Sequence, residues 1–248
     1  MTIWGKIIGS AAGFALGGPL GALIGGLAGH AVDRIADTAA VVRQEAPSRE
    51  QTRRVAFTVG VIVLGAKMAK ADGVVTKDEI AAFRQVFHVP ADEVDHVARI
   101  FNRAKADAAG FEVYAAQVKA VLGEDKAVLE ELLDGLFHIA KADAKIHAAE
   151  IEFLQSVAGI FGFTAAEFAA LRATHLGPDR SDPFTVLGVT REMSDDDLKA
   201  AYRKLVREHH PDALIAKGMP EEFVAMATQR LAAINAAWDR ITKERGIK

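Results

Sequence analysis

The feature that most constrains this chain is an uncharged stretch near its start. Residues 7–32 form a run of 26 residues without Asp, Glu, Lys or Arg, in which His30 is the only ionisable side chain. At about 1.5 Å per residue, a helix of that length is about 39 Å long and exceeds the roughly 30 Å hydrocarbon core of a bilayer. Trp4 precedes the run, where an interfacial aromatic anchor is expected. The run therefore predicts a transmembrane helix within residues 1–32.

Two other interpretations of this run compete with an anchor. A cleaved signal peptide has a basic start, a shorter apolar run and a cleavage site, whereas Lys6 is the only basic residue before this run. A flexible segment rich in Gly and Ala is the other interpretation. The length favours an uncleaved anchor, because about 20 apolar residues are enough to span a bilayer.

Glycines recur at every fourth position of the run. The series is Gly9, Gly13, Gly17, Gly21, Gly25 and Gly29. Residues four apart share one face of a helix, so the series forms a shallow groove that a second backbone can approach closely. The spacing predicts a homodimer that forms through the transmembrane helix.

Basic residues are unevenly distributed around the run. Lys6 precedes it, whereas five arginines follow it: Arg34, Arg43, Arg49, Arg53 and Arg54. The flank richer in Lys and Arg usually stays in the cytoplasm. The distribution therefore predicts a single-pass protein with a juxtamembrane segment at residues 33–54 and a cytoplasmic body.

Composition narrows both the fold and the chemistry. The chain has no Cys, which excludes disulfides, zinc–thiolate centres and a cysteine nucleophile. Half of its residues are hydrophobic, and its net charge of −3 argues against nucleic-acid binding. Alternating strand patterns are almost absent, so an all-α fold is expected. The sequence contains no P-loop and no catalytic group of residues, so we expect no cofactor and no enzymatic activity.

Helical periodicity continues through the middle of the chain. A helix is expected from Pro47, as its first residue, to Ala71. Further helices are predicted at residues 91–106, 111–122, 125–142, 148–161 and 165–175. Thr76 with Glu79, and likewise residues 164 and 167, have the spacing of a capping box. These elements predict a helical bundle.

The bundle contains an internal repeat. Lys70-Ala-Asp72 to Glu79-Ile80 matches Lys141-Ala-Asp143 to Glu150-Ile151 at a constant offset of 71 residues. Each copy consists of a helix, a turn that contains Asp and a helix that opens with Glu. On this motif, residues 55–176 resemble a TerB-like domain, the small helical bundle named after tellurite-resistance proteins.

The acidic residues of the repeat leave two interpretations open. These residues are Asp72, Glu79, Asp143 and Glu150. The resemblance admits a metal site, since Ca²⁺ binds several hard oxygens at about 2.3–2.6 Å. Alternatively, each Asp caps the end of one helix and each Glu completes the cap of the next. We favour the caps, because they explain the spacing without a metal, and we expect His138 and His147 to be structural.

Near the C-terminus, a basic helix leads into a proline turn. Its apolar face is formed by Leu198, Ala201, Tyr202, Leu205 and Val206. Its basic face is formed by Lys199, Arg203, Lys204 and Arg207. Ser194 is a suitable N-cap. The helix is expected to stop at the tripeptide His210-Pro211-Asp212, because Pro211 cannot continue it.

Flanking segments complete a hairpin around this helix. Residues 182–189 predict a short helix, and residues 220–241 predict a long one. The long helix has a single apolar seam of Phe223, Ala227, Leu231, Ile234, Trp238 and Ile241. With the basic helix and the tripeptide, these segments at residues 182–248 resemble a J domain, preceded by a short linker at residues 177–181.

The J-domain resemblance implies a partner and the residues that contact it. In that family, the tripeptide and the basic helix dock on a DnaK-type chaperone and stimulate its ATP hydrolysis. Here the matching residues are His210, Pro211, Asp212, Tyr202, Lys199, Arg203, Lys204 and Arg207. Taken singly, a proline turn and a basic face are also ordinary surface features.

The order of segments resembles one family as a whole. A Trp-Gly-Lys-Ile-Ile start, a Gly-rich span, a TerB-like domain and a C-terminal J domain are similar to the DjlA family of membrane-anchored DnaJ-like co-chaperones of Gram-negative bacteria. The resemblance implies an inner-membrane co-chaperone. The alternatives are a membrane stress or metal sensor that acts through the acidic pairs, and a scaffold that dimerises through the glycines.

Overall fold

A computed structural model describes residues 17–22, 48–71, 89, 94–106, 110–123, 125–141, 146–175 and 181–247. These residues form helices and turns without any strand, which confirms the all-α prediction for this part of the chain. A central bundle consists of α1 (Arg49–Ala71), α2 (Val94–Ala106), α3 (Phe111–Leu122), α4 (Lys126–Ala140), α5 (Ala148–Phe161) and α6 (Ala165–His175). A C-terminal hairpin consists of α7 (Pro183–Val186), α8 (Asp195–Glu208), α9 (Pro211–Ala216), a 3₁₀ turn (Glu221–Phe223) and α10 (Val224–Arg245).

The central helix of the bundle is α1. Residues 55–69 are buried without interruption, because α2, α3, α4 and α5 all pack around this helix. The prediction that it starts at Pro47 is wrong, since the helix begins at Arg49 after Ser48. The Ser48 hydroxyl accepts a hydrogen bond from the Gln51 backbone N–H at 3.2 Å, and the Ser48 N–H donates to Gln51 Oε1 at 2.9 Å. This reciprocal cap fixes the start of the helix.

Other helix limits follow local signals in the sequence. The predicted capping box of α6 is present, because the Thr164 hydroxyl accepts from the Glu167 N–H at 3.2 Å and the Thr164 N–H donates to Glu167 Oε2 at 2.8 Å. At the end of α5, Gly162 takes the left-handed conformation that commonly stops a helix. Short-range capping chemistry therefore explains why the predicted limits of α5 and α6 agree with the structure.

A short piece of the uncharged run packs on the bundle. Residues 18–22 form a single helical turn, and Leu20 is fully buried in the bundle's core. Gln117 holds this piece from α3, since its Oε1 accepts from the Leu20 N–H and its Nε2 donates to the Gly17 carbonyl, both at 2.7 Å. No helix in the described part of the chain is long and apolar enough to cross a membrane.

The glycine series is described only at Gly17 and Gly21. Gly17 and Gly18 both have φ of 55°, in the left-handed region, so a regular right-handed helix does not run through them. Among the described residues, Gly17 and Gly21 therefore do not lie on one continuous right-handed helix. The other members of the series, Gly9, Gly13, Gly25 and Gly29, lie outside the described residues.

The C-terminal hairpin has its own small core. Asp182 caps α7 by accepting from the Thr185 N–H at 3.1 Å, and this cap places Phe184 under α10. The core is formed by Phe184, Val186, Leu187, Val189, Leu198, Ile234, Ala237 and Ile241, with Ala173 contributed by the bundle. The guanidinium of Arg191 lies 4.3 Å from the centre of the Phe184 ring and covers the core from outside.

The segment between α8 and the middle of α10 belongs to the core of the bundle. Leu214, Met219, Phe223, Met226 and Ala227 are buried together with residues of α1 and α4. Phe223 meets Phe57 edge-to-face, with the ring centres 4.7 Å apart. The prediction of a single apolar seam on α10 is therefore wrong, because the seam divides between two cores. Its first part packs on the bundle, whereas Ile234 and Ile241 pack in the hairpin.

Candidate chaperone-docking site

The basic helix α8 presents its charged face to solvent. Ser194 caps it by accepting from the Asp197 N–H at 3.2 Å, and three Asp residues fill the first turn, where the helix dipole favours negative charge. Arg203, Lys204 and Arg207 are exposed and Lys199 is half-buried. The structure thus brings the four predicted basic residues together on one side of the hairpin.

Tyr202 lies on the opposite side of α8. Its ring stacks on Trp238 of α10 with the ring centres 4.7 Å apart and the planes 7° from parallel. Its hydroxyl donates to Asn235 Oδ1 at 3.0 Å. Tyr202 therefore joins α8 to α10, and a direct role in binding a partner remains a prediction.

The His-Pro-Asp tripeptide connects two helices. The helix α8 ends at Glu208, His210 is the N-cap of α9, and Pro211 occupies the first position, where its missing N–H costs nothing. Asp212 donates its backbone N–H to His210 Nδ1 at 3.3 Å. The side chains of His210 and Asp212 are 50% and 90% exposed, so both are accessible to a partner.

The residue just before the tripeptide points the other way. His209 is 1% exposed and lies between two carboxylates of α4. Its Nδ1 is 2.9 Å from Glu131 Oε1, and its Nε2 is 3.4 Å from Glu130 Oε2. This contact joins the hairpin directly to the bundle.

Arg230 of α10 makes a second charged contact with α4. Its guanidinium pairs with Glu130, and its Nη1 lies 3.4 Å from Asp134 Oδ1. Asp134 in turn accepts from His175 Nε2 at 2.8 Å and lies 3.4 Å from His138 Nε2. We call His209, Arg230, Glu130, Glu131 and Asp134 the interdomain cluster.

Burial and charge pairing shift the pKa values of the interdomain cluster in opposite directions. Burial and the nearby Arg230 would lower the pKa of His209, but hydrogen bonds to Glu130 and Glu131 outweigh them and raise it. Burial would also raise the pKa of Asp134, but His175, His138 and Arg230 hold it below its usual range. For Glu131, burial prevails and the pKa is raised. The cluster therefore favours a positively charged His209 and a negatively charged Asp134.

Sequence reasoning missed the interdomain cluster. His209 stands beside the tripeptide in the sequence, and Arg230 stands between two members of the apolar seam, so neither position indicates a buried charge. A signal was present in α4, where Glu131 and Asp134 lie among residues that are apolar on every side. Charges on such a helix indicate buried partners, although they do not identify them.

The acidic residues of the repeat are only partly described. Glu150 is buried, and its Oε2 accepts from the His147 N–H at 2.7 Å, as expected for a cap. Asp72, Glu79 and Asp143 lie outside the described residues. Among the residues that are described, no group of three or more His, Asp or Glu side chains is arranged to hold a metal ion.

Comparison with family models gives three matches in chain order. Residues 1–54 match the co-chaperone DjlA transmembrane domain, residues 58–173 match tellurite resistance protein TerB, and residues 182–246 match the DnaJ domain. The exposed tripeptide and the basic face lie within the DnaJ match. Fold, site and matches together define a membrane-anchored J-domain co-chaperone with a TerB-like central domain.

Comparison with curated proteins identifies the family. The chain is 31% identical to co-chaperone protein DjlA of Shewanella oneidensis and 32% identical to that of Aliivibrio fischeri, in both cases over the full length of both chains. It is also 32% identical to co-chaperone protein DjlA of Photobacterium profundum, over 77% of this chain and 78% of that protein. The chain belongs to the DjlA family of co-chaperones. No solved structure matches it.

Proposed function

We propose that this protein stimulates ATP hydrolysis by a DnaK-type chaperone at the cytoplasmic face of the bacterial inner membrane. The observation that carries the proposal is the arrangement of the basic face of α8 beside an exposed His210 and Asp212. Membership of a co-chaperone family with a J domain supports the same partner. The N-terminal anchor would keep this activity at the membrane.

The two parts of the site act at different ranges. Arg203, Lys204 and Arg207 attract an acidic surface over roughly 10 Å, an effect that weakens as salt increases. The His210-Pro211-Asp212 tripeptide acts at contact, with Pro211 limiting its backbone freedom. The basic face therefore governs association, whereas the tripeptide transmits the effect on hydrolysis.

The test is single-turnover ATP hydrolysis by the cognate DnaK-type chaperone with the full chain in detergent. We expect stimulation by the wild type and its loss in His210→Gln, which changes an exposed side chain and leaves the fold intact. His147→Gln is the matched control, because His147 is also exposed but lies on the bundle. Normal stimulation by His210→Gln would refute the proposal.

A second pair of variants tests the basic face. Arg203→Ala with Arg207→Ala removes two exposed charges four residues apart, and Arg99→Ala with Arg103→Ala removes two with the same spacing from α2. Only the α8 pair should raise the co-chaperone concentration needed for half-maximal stimulation. The difference should shrink at high salt, where the wild type loses the same attraction.

We further propose that the protein forms a homodimer through the Gly-rich segment of its anchor. The proposal is supported by small residues at every fourth position, which allow close packing of membrane helices. Cross-linking of single-cysteine variants in membranes is a suitable test, because the natural chain has no Cys. Gly13→Leu, at a member of the series that precedes Gly17, should remove the cross-link if the series forms the interface.

A further inference from the structure

Two contacts with the central bundle hold the His-Pro-Asp tripeptide. His209 precedes the tripeptide and is buried against Glu130 and Glu131 of α4. Leu214, two residues after Asp212, is fully buried in the core of the bundle. The exposed tripeptide therefore lies between two points that are both fixed by the central bundle.

The first contact favours a charged imidazole. Both ring nitrogens of His209 face carboxylate oxygens, at 2.9 Å and 3.4 Å, and only a doubly protonated imidazole can donate to both. His209 also caps the C-terminus of α8, where the helix dipole favours positive charge. Arg230 is the other cation beside these carboxylates, so the two cations share the acidic face of α4.

The second contact holds the backbone after the tripeptide. Arg53 of α1 donates from Nε to the Lys217 carbonyl at 2.8 Å, and Lys217 Nζ lies 3.1 Å from Asp125. Met219 is fully buried beside Leu214 in the same core. The helix α9 is thus tied to the bundle at both its middle and its end.

These contacts leave the docking residues open. His210 and Asp212 are exposed, and Arg203, Lys204 and Arg207 point to solvent while the hairpin is packed on the bundle. The bundle therefore does not cover the site. Its contacts fix the direction in which the tripeptide projects.

We propose that His209 is a positioning residue for chaperone stimulation, clamped by Glu130 and Glu131 so that the central bundle sets the orientation of the His-Pro-Asp tripeptide. This inference rests on the proposed function, because orientation matters only if the tripeptide acts on a DnaK-type chaperone. Partner binding would depend mainly on the basic face, whereas the rate of the stimulated step would depend on the clamp.

The test compares three variants of the full chain in single-turnover ATP hydrolysis over a range of co-chaperone concentrations. For His209→Gln we expect a half-maximal concentration within about twofold of wild type and a maximal rate lowered by about tenfold, since small misplacements of a reacting group have effects of this size or larger. His138→Gln is the matched control, because His138 contacts Asp134 and no residue of the tripeptide. His210→Gln tests the proposed function itself.

Hydrogen exchange gives a measurement that does not depend on activity. His209→Gln should speed amide exchange at His210 and in residues 212–217, and His138→Gln should leave it unchanged. Glu131→Gln alters the same contact from the side of the bundle and keeps the side-chain volume. It therefore tests the positioning role if His209→Gln fails to fold. The double variant, His209→Gln with Glu131→Gln, should lower the maximal rate little more than either single variant, because both substitutions remove the same contact.

The outcomes separate the two proposals. Wild-type maximal rate and exchange in both His209→Gln and Glu131→Gln would overturn the positioning role, while loss of stimulation in His210→Gln would still support the proposed function. A raised half-maximal concentration with an unchanged maximal rate in His209→Gln would also overturn the positioning role, since His209 would then act in binding. Absence of stimulation by the wild type would refute both.

Discussion

His209 and Glu131 form a buried hydrogen bond between the C-terminal hairpin and the central bundle. The two residues are 78 positions apart in the chain, yet Nδ1 and Oε1 lie 2.9 Å apart, and neither side chain is more than 2% exposed. The bond lies directly beside the tripeptide, so the backbone that enters the proposed docking site is also part of the contact between the hairpin and the bundle.

The first prediction concerns the pH dependence of this contact. Because the pKa of His209 is raised above its ordinary 6.5, its stabilisation is complete below about pH 6.5 and is lost as pH rises through the folded-state value. His209→Gln should therefore cost about 2 kcal/mol at about pH 6 and clearly less at about pH 9. Urea unfolding at both pH values measures the difference.

His175 must be treated separately in this experiment. Burial lowers its pKa despite its bond to Asp134, so its contribution to stability decreases as pH falls below the ordinary value, opposite to that of His209. Comparing wild type with His209→Gln at each pH cancels the His175 contribution. A cost of His209→Gln that grows with pH would show that His209 is neutral in the folded protein.

The second prediction concerns Arg230. Arg230→Met should lower the free energy of unfolding by about 3–5 kcal/mol, because it removes the cation beside the buried carboxylates of Glu131 and Asp134. Lys243→Met removes an exposed charge from the same helix and should cost less than about 0.5 kcal/mol. Fluorescence of Trp238, which lies on α10, can follow unfolding of the hairpin. Similar effects of the two variants would contradict the structure of the cluster.

The third prediction compares two glycines of the hairpin. Gly218 has φ of 101° and Gly246 has φ of 68°, so alanine at either position adopts an unfavourable backbone that costs about 1–2 kcal/mol. At Gly218 an added Cβ would also lie 2.8 Å from the Cβ of Arg53, whereas nothing lies within 4 Å at Gly246. Gly218→Ala should therefore be the more destabilising by at least about 1 kcal/mol. Equal thermal shifts for the two variants would argue against close packing of α1 on this segment.

The fourth prediction concerns orientation in the membrane. Because the chain has no Cys, Thr2→Cys and Ser156→Cys each create a unique thiol, and Ser156 is exposed on α5. With the body in the cytoplasm, an impermeant maleimide should label residue 2 in intact spheroplasts and residue 156 only after permeabilisation. The reverse labelling pattern would overturn the proposed orientation.

Several elements could be predicted because their causes are local. The start of α6 depends on Thr164 and Glu167, three residues apart, and α8 begins where Ser194 caps three acidic residues. The start of α1 is an exception, because Pro47, which suits the first position of a helix, stands directly before the Ser48 cap that begins this helix. The proline and the serine are both local signals for a helix start, and helix propensity alone does not show which of them determines it.

The sequence by itself determined the helical class, the capped helices and the exposed basic face with its tripeptide, since each follows from neighbours within a few residues. Only the tertiary structure decided that the seam of α10 divides between two cores and that His209 and Arg230 meet the carboxylates of α4. These partners are 78 to 100 residues apart along the chain. A buried charge is stable only beside an opposite charge. Which residue supplies that charge depends on how all the helices pack, and this cannot be read from neighbours in the sequence.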